Sequence, residues 1–124
     1  MIIDLEQVIS GYMGTLLWSS IDEHGTPMDD LVDEDDFDSS ALEEIRKDVT
    51  DFCSYASEEL EAIPEGEQTS SHIGHDFCLT RNRHGAGFWD GDYPNDLGQK
   101  LTEKSHHAGS MDVYIGDDGK VYVS

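Results

Sequence analysis

Between His72 and Asp92 the sequence gathers His72, His75, Asp76, His84, Asp90 and Asp92. Their imidazole nitrogens and carboxylate oxygens are the donors that divalent transition metals take. The spacing is not that of a recognised site, because neither an HExxH pair nor a pair of Cys/His doublets is present. His72 and His75 fall at an expected linker-to-strand junction, which would give their rings no fixed geometry. Histidines in a hairpin more often satisfy backbone groups or face solvent. A hydrolytic reading would use His75 or His84 as base with Asp76 or Asp90 orienting it. No serine or cysteine stands in a nucleophile-elbow context, and Cys78 lies among apolar positions. Arg81 and Arg83, beside a glycine-containing turn, could hold a phosphate, but the Gly85-Ala86-Gly87 run is expected between strands instead of opening a helix. The simpler reading pairs Arg81 with a nearby acid.

The acids are a second source of chemistry. Asp33, Asp35 and Glu44 fall at the first, third and twelfth positions of an EF-hand, but Phe37 and Asp38 occupy the positions that need a ligand and a glycine. An EF-hand is not expected. Cys53 and Cys78 form no CxxC pair, and two reduced, buried thiols are expected rather than a disulfide. No cofactor motif is recognised, so no cofactor and no catalytic residue is assigned.

Charge separates this chain from an average domain. Its 124 residues carry 28 acids and 7 Lys or Arg, for a net charge of −21. Residues 1–67 hold 20 acids and 2 bases, a net of −18, whereas residues 68–124 hold 8 acids and 5 bases, a net of −3. Such a charge repels nucleic acid and anionic membranes, and it opposes compaction. Adaptation to high salt would spread carboxylates evenly, so the asymmetry points to one acidic face. No apolar run is long enough to span a membrane and the start has no basic leader, so a cytoplasmic protein is expected.

These residues need elements to position them. Asp4 caps an expected first helix whose stripe is Leu5, Val8, Ile9, Tyr12, Met13 and Leu16, ending between Ser19 and Glu23. Gly11 and Gly14 fall opposite that stripe, and Trp18 lies off it. Asp29 to Asp38, with seven acids, is expected to be extended or irregular, anchored by Leu31, Val32 and Phe37. Ser40 and Glu43 make a capping box for a second helix. Its apolar arc of about 100° runs from Leu42 through Ile45, Val49, Phe52, Cys53, Ala56 and Leu60 to Ile63. Glu43, Glu44, Asp48, Asp51, Glu58, Glu59 and Glu61 lie opposite, with only Lys47 among them.

After Pro64 and a linker over 65–71, residues 75–80 read as a strand and 87–89 as its return, joined by a turn at 82–85. Residues 90–94 read as a loop, and Asn95 or Asp96 caps a third helix on Leu97, Leu101 and Ala108, closed by Gly109. A last hairpin turns at Asp117-Asp118-Gly119, pairing Val113 with Val123 and Ile115 with Val121. The expected order is α-α-β-β-α-β-β: one α+β domain over 1–124, with helices on one face of an antiparallel sheet of two hairpins. Its acidic helical half would be 1–67 and its hairpin-helix-hairpin half 68–124.

The stretch GHDFCLTRNRHGAGFWDGDYPNDLGQKLTEKSHHAG, followed by DVYIGDDGKVYV, resembles a family of small hypothetical proteins of phages, plasmids and bacterial chromosomes. Their signature is similar to GHDFWLTRN-x-HGAGFWD, with Cys78 here replacing an aromatic residue. The resemblance covers 74–123 and implies a mobile-element origin and a compact C-terminal module. It names no reaction.

Together these features predict a non-enzymatic acidic protein that mimics a polyanion and blocks a basic, nucleic-acid-binding or defence protein of the host. Its contact residues would be Asp29, Asp30, Asp33, Glu34, Asp35, Asp36, Asp38, Glu43, Glu44, Asp48, Asp51, Glu58 and Glu59. No direct nucleic-acid contact and no membrane partner are expected. The alternative is a small metal-binding or hydrolytic protein built on the His/Asp-rich segment 72–92. Exposed aromatics such as Trp18 or Trp89 would serve a homodimer.

Overall fold

Helix α1 (Leu5–Trp18) starts where Asp4, in extended conformation, accepts a hydrogen bond from the Gln7 amide at 3.3 Å. It buries Val8, Ile9, Tyr12, Met13 and Leu16 and ends at Ser19. These observations come from a computed structural model that describes residues 1–90, 93–94 and 96–124. Gly91, Asp92 and Asn95 lie outside the described residues, and with them part of the expected 90–94 loop and one of the two expected caps.

The acidic segment is more regular than its charge suggests. It forms two single-turn 3-10 helices, Met28–Asp30 and Glu34–Asp36. Asp33 and Asp36 cap each other's backbone at the second. Met28 and Phe37 are its buried anchors, Val32 is half-buried, and Leu31 is exposed.

Helix α2 (Ser39–Tyr55) is capped by Asp38, whose carboxylate accepts from the Ser40 amide at 2.9 Å, so the Ser40–Glu43 capping box does not form. The acid sits two positions ahead of Ser40 and takes that residue's own amide. Ile45, Val49 and Phe52 face the core together with Ala41, while Leu42 is exposed. The helical course breaks at Ala56 and resumes as α3 (Ser57–Glu61). Leu60 and Ile63 nevertheless reach the core as expected.

The largest departure follows Thr69, whose hydroxyl accepts from the His72 amide at 3.1 Å and starts helix α4 (Ser70–Arg81). The expected strand over 75–80 is therefore helix, and residues 82–90 form an irregular connection instead of a turn and a returning strand. The first hairpin, and with it the order α-α-β-β-α-β-β, is replaced by helix, loop, helix and hairpin. The reason is burial on nearly all sides. Every residue from Asp76 to Arg81 is buried, so no polar stripe is left to reveal a helical period.

Helix α4 lies directly on α1. An added Cβ on Gly74 would come within 2.0 Å of the Val8 carbonyl oxygen, and one on Gly11 within 2.0 Å of the Ser71 carbonyl oxygen. Gly11 is thus an interface residue, not a surface one. Phe77 stacks on Phe52 with ring centroids 4.0 Å apart and meets Tyr12 at 5.6 Å. The core is therefore helix against helix.

Helix α5 (Leu97–His107) buries Leu97 and Leu101, and Gly109 follows in the left-handed region at φ 74°. Strands β1 (Val113–Ile115) and β2 (Val121–Val123) pair antiparallel in the expected register, with Gly119 left-handed in the turn. Tyr114 and Tyr122 stack across the hairpin at 5.7 Å. The Asp38 amide donates to the Val121 carbonyl at 2.9 Å, which ties the hairpin to the start of α2. The class is α+β, with a two-stranded antiparallel sheet beside the helices. Among the described residues, no helix is long and apolar enough to cross a membrane.

Candidate functional site

The thirteen acids proposed for partner contact divide by what they already hold. Asp29, Asp30, Glu34, Asp35, Glu43, Glu44 and Glu58 are exposed, and none makes an ion pair or side-chain hydrogen bond among the described residues. Asp33, Asp36 and Asp38 are spent on caps. Asp48, Asp51 and Glu59 are ion-paired, to Arg81 at 2.9 Å, Lys47 at 2.9 Å and Lys104 at 2.8 Å.

Three pKa shifts follow from these settings, the first being Glu59, held below the usual carboxylate range chiefly by its hydrogen bond from Lys104. Glu34 is pushed above the usual carboxylate range, first by partial burial and then by the charges of Asp35 and Asp33. Asp38 is held below that range, chiefly by the Ser40 hydroxyl and amide.

Arg81 links helix α2 to the residues that follow α5. Its guanidinium is buried, meets Asp48, donates to the Tyr12 hydroxyl at 3.1 Å, and donates to the carbonyls of Gly109 and Ala108 at 2.7 and 3.2 Å. Its expected pairing with a nearby acid therefore forms, and no phosphate role is left for it.

Arg83 is different. It adopts a left-handed φ of 58° and makes no ion pair among the described residues. It lines a groove of ≈ 360 Å³ with Trp89 and His106. The Gly85-Ala86-Gly87 run lies in the connection between α4 and α5. The Gly87 position is tight because an added Cβ would fall 2.2 Å from the Thr80 hydroxyl.

Of the histidines and aspartates at 72–92, the structure brings together His72, His75 and Asp76. The α4 helix fixes them at i, i+3 and i+4, on one side. His75 Nδ1 lies 2.9 Å from Asp76 Oδ1, and His72 Nε2 lies 3.2 Å from Asp76 Oδ2. The Tyr93 hydroxyl donates to Asp76 Oδ2 at 2.6 Å. The two imidazoles stack at 5.0 Å, and the Trp18 ring flanks His75 at 5.8 Å. Tyr93 and Trp18 reach this group through the fold, and their sequence positions carry no ligand spacing that would mark them. His84 and Asp90 do not join it, and Asp92 lies outside the described residues.

Both cysteines are free, Cys78 buried and Cys53 half-buried. Burial raises the Cys53 thiol to about 11 and the Cys78 thiol to about 12, so neither is a ready nucleophile.

No family model, no curated protein and no solved structure matches this chain.

Proposed function

We propose that this protein is a non-enzymatic binding protein whose acidic surface imitates a polyanion and blocks a basic, nucleic-acid-binding surface of another protein. One observation carries the reading: seven carboxylates, from Asp29, Asp30, Glu34, Asp35, Glu43, Glu44 and Glu58, are exposed with no cation paired to them among the described residues, while Arg46, Lys47, Arg81 and Lys104 are each committed to other acids. Caps and packing hold the acidic backbone in place. A Lys/Arg-rich groove meeting such carboxylates gains attraction of the kind it gains from phosphates. The resemblance to mobile-element proteins favours a host nucleic-acid-binding or defence protein as the target.

The test is capture of basic proteins from host lysate at roughly 0.05 and 0.5 M salt, where screening differs severalfold. Captured protein should elute with salt and with duplex DNA. It should be lost when the seven free acids become Asn or Gln, substitutions that leave the caps and buried pairs intact. Undiminished capture by that variant would overturn the reading.

A further inference from the structure

We propose that His72, His75 and Asp76 form a binding site for a divalent transition-metal ion of the zinc class. The donors are chemically suited, since neutral imidazole nitrogen and carboxylate oxygen are standard zinc ligands. One ligand atom from each residue lies within 4.8 Å of the others, and the two nitrogen-to-carboxylate separations are 2.9 and 3.2 Å. Ligands at about 2.0–2.1 Å from a tetrahedral ion stand roughly 3.3 Å apart. His75 Nδ1 stands at close to that spacing from Oδ1 of Asp76 and His72 Nε2 from Oδ2, so a carboxylate holding the ion through both oxygens would place it between the two rings. The hydrogen that a ring nitrogen shares with the carboxylate moves to the other ring nitrogen when the ion takes its place.

The surroundings fit a site of this kind. The Asp76 side chain is only 4% exposed, yet no Lys or Arg among the described residues pairs with it. Arg81, five positions on, is committed to Asp48. A buried carboxylate whose partners among the described residues are imidazoles and a phenol is compensated further by a cation. The Tyr93 hydroxyl donates to Oδ2 of the carboxylate and helps to fix its orientation, as outer-shell donors do at metal centres. The His72 and His75 side chains are 38% and 31% exposed, which leaves the ion a path from solvent. Three protein donors leave one position for water or a partner's side chain. The site is independent of the acidic surface, whose all-oxygen donors suit calcium or magnesium instead.

The experiment uses the full chain, stripped with chelator and held in excess Ca²⁺ to occupy surface carboxylates. Titration with Co²⁺ should produce visible d–d bands that saturate at one equivalent and are displaced by Zn²⁺. Tyr93→Phe should weaken binding about tenfold, and His72→Ala or His75→Ala at least a hundredfold. Imidazole ¹H–¹⁵N spectra of the unaltered chain supply a readout that needs no variant. Zn²⁺ should move the His72 and His75 signals and leave His24, His84, His106 and His107 in place. Absence of stoichiometric Co²⁺ binding, unchanged binding after loss of both histidines, or movement of only the other histidines would overturn the proposal.

Discussion

The guanidinium of Arg81 lies 2.9 Å from the carboxylate of Asp48, with the Arg81 side chain 2% exposed and the Asp48 side chain 24% exposed. This pair joins the last turn of α4 to the acidic face of α2. An acid on a solvent-facing stripe therefore serves the fold, and the charge pattern of α2 alone could not have separated it from its neighbours. Tyr12 and the carbonyls that follow α5 complete the shell around the same guanidinium.

Asp48→Ala should cost about 3 kcal/mol, because it leaves Arg81 charged and buried without its counterion. Glu58→Gln, which removes an exposed acid with no partner, should stay within about 0.5 kcal/mol. Urea unfolding of both variants at neutral pH checks the contrast. Equal stabilities would show that the pair does not hold these elements together.

Gly11→Ala and Gly74→Ala should each cost about 3 kcal/mol or more, since the new methyl meets backbone carbonyls that cannot move without separating α1 from α4. Gly14→Ala should behave oppositely. Its Cβ would meet only the Glu34 carboxylate at 3.1 Å, the end of a flexible side chain. Removing a glycine from a helix interior should then stabilise by about 0.5 kcal/mol. Thermal melts of the three variants would rank them.

These glycines also show which parts of the fold could be read from sequence. The α1 stripe and the terminal hairpin were legible, since a one-sided apolar pattern and a glycine turn are local signals. Helix α4 was not, because contact with α1 and burial of Asp76 to Arg81 erase the polar face that marks a helix. The loss carried over to the site. His72, His75 and Asp76 are recognisable as donors by residue type, but only a helix places them at i, i+3 and i+4 on one side. The acidic residues were legible as a group, whereas their division into caps, ion pairs and free carboxylates depends on tertiary neighbours such as Arg81 and Lys104. The two linked aromatics, Trp18 and Tyr93, reach the His/Asp cluster only through folding.

The thiols should be unreactive in the native protein. With Cys53 raised to about 11 and Cys78 to about 12 by burial, little thiolate exists near pH 8, and access is restricted as well. Ellman's reagent should label neither quickly, and both at once in denaturant. Half-buried Cys53 should precede buried Cys78 when labelling is followed over time. Rapid native labelling of Cys78 would contradict the packing of α4.

Two exposed acids should shift the acid limb of stability in opposite directions. Glu34 is raised above its ordinary value of 4.5 by partial burial and by Asp35 and Asp33, so its charge weakens the native state at neutral pH. Glu34→Gln should therefore raise the melting temperature at pH 7, and the gain should fade as pH falls through the raised native value and vanish below 4.5. Asp118 is lowered below 3.8, first by the Tyr122 hydroxyl and then by the Lys120 amide. Its stabilisation is complete above 3.8 and is lost as pH falls through the lower native value. Asp118→Asn should thus melt earlier at neutral pH and converge with the unaltered chain in strong acid. Melting curves taken from pH 7 downwards separate the two cases, and a Glu34→Gln gain that persists in strong acid would point to a packing change instead of a charge effect.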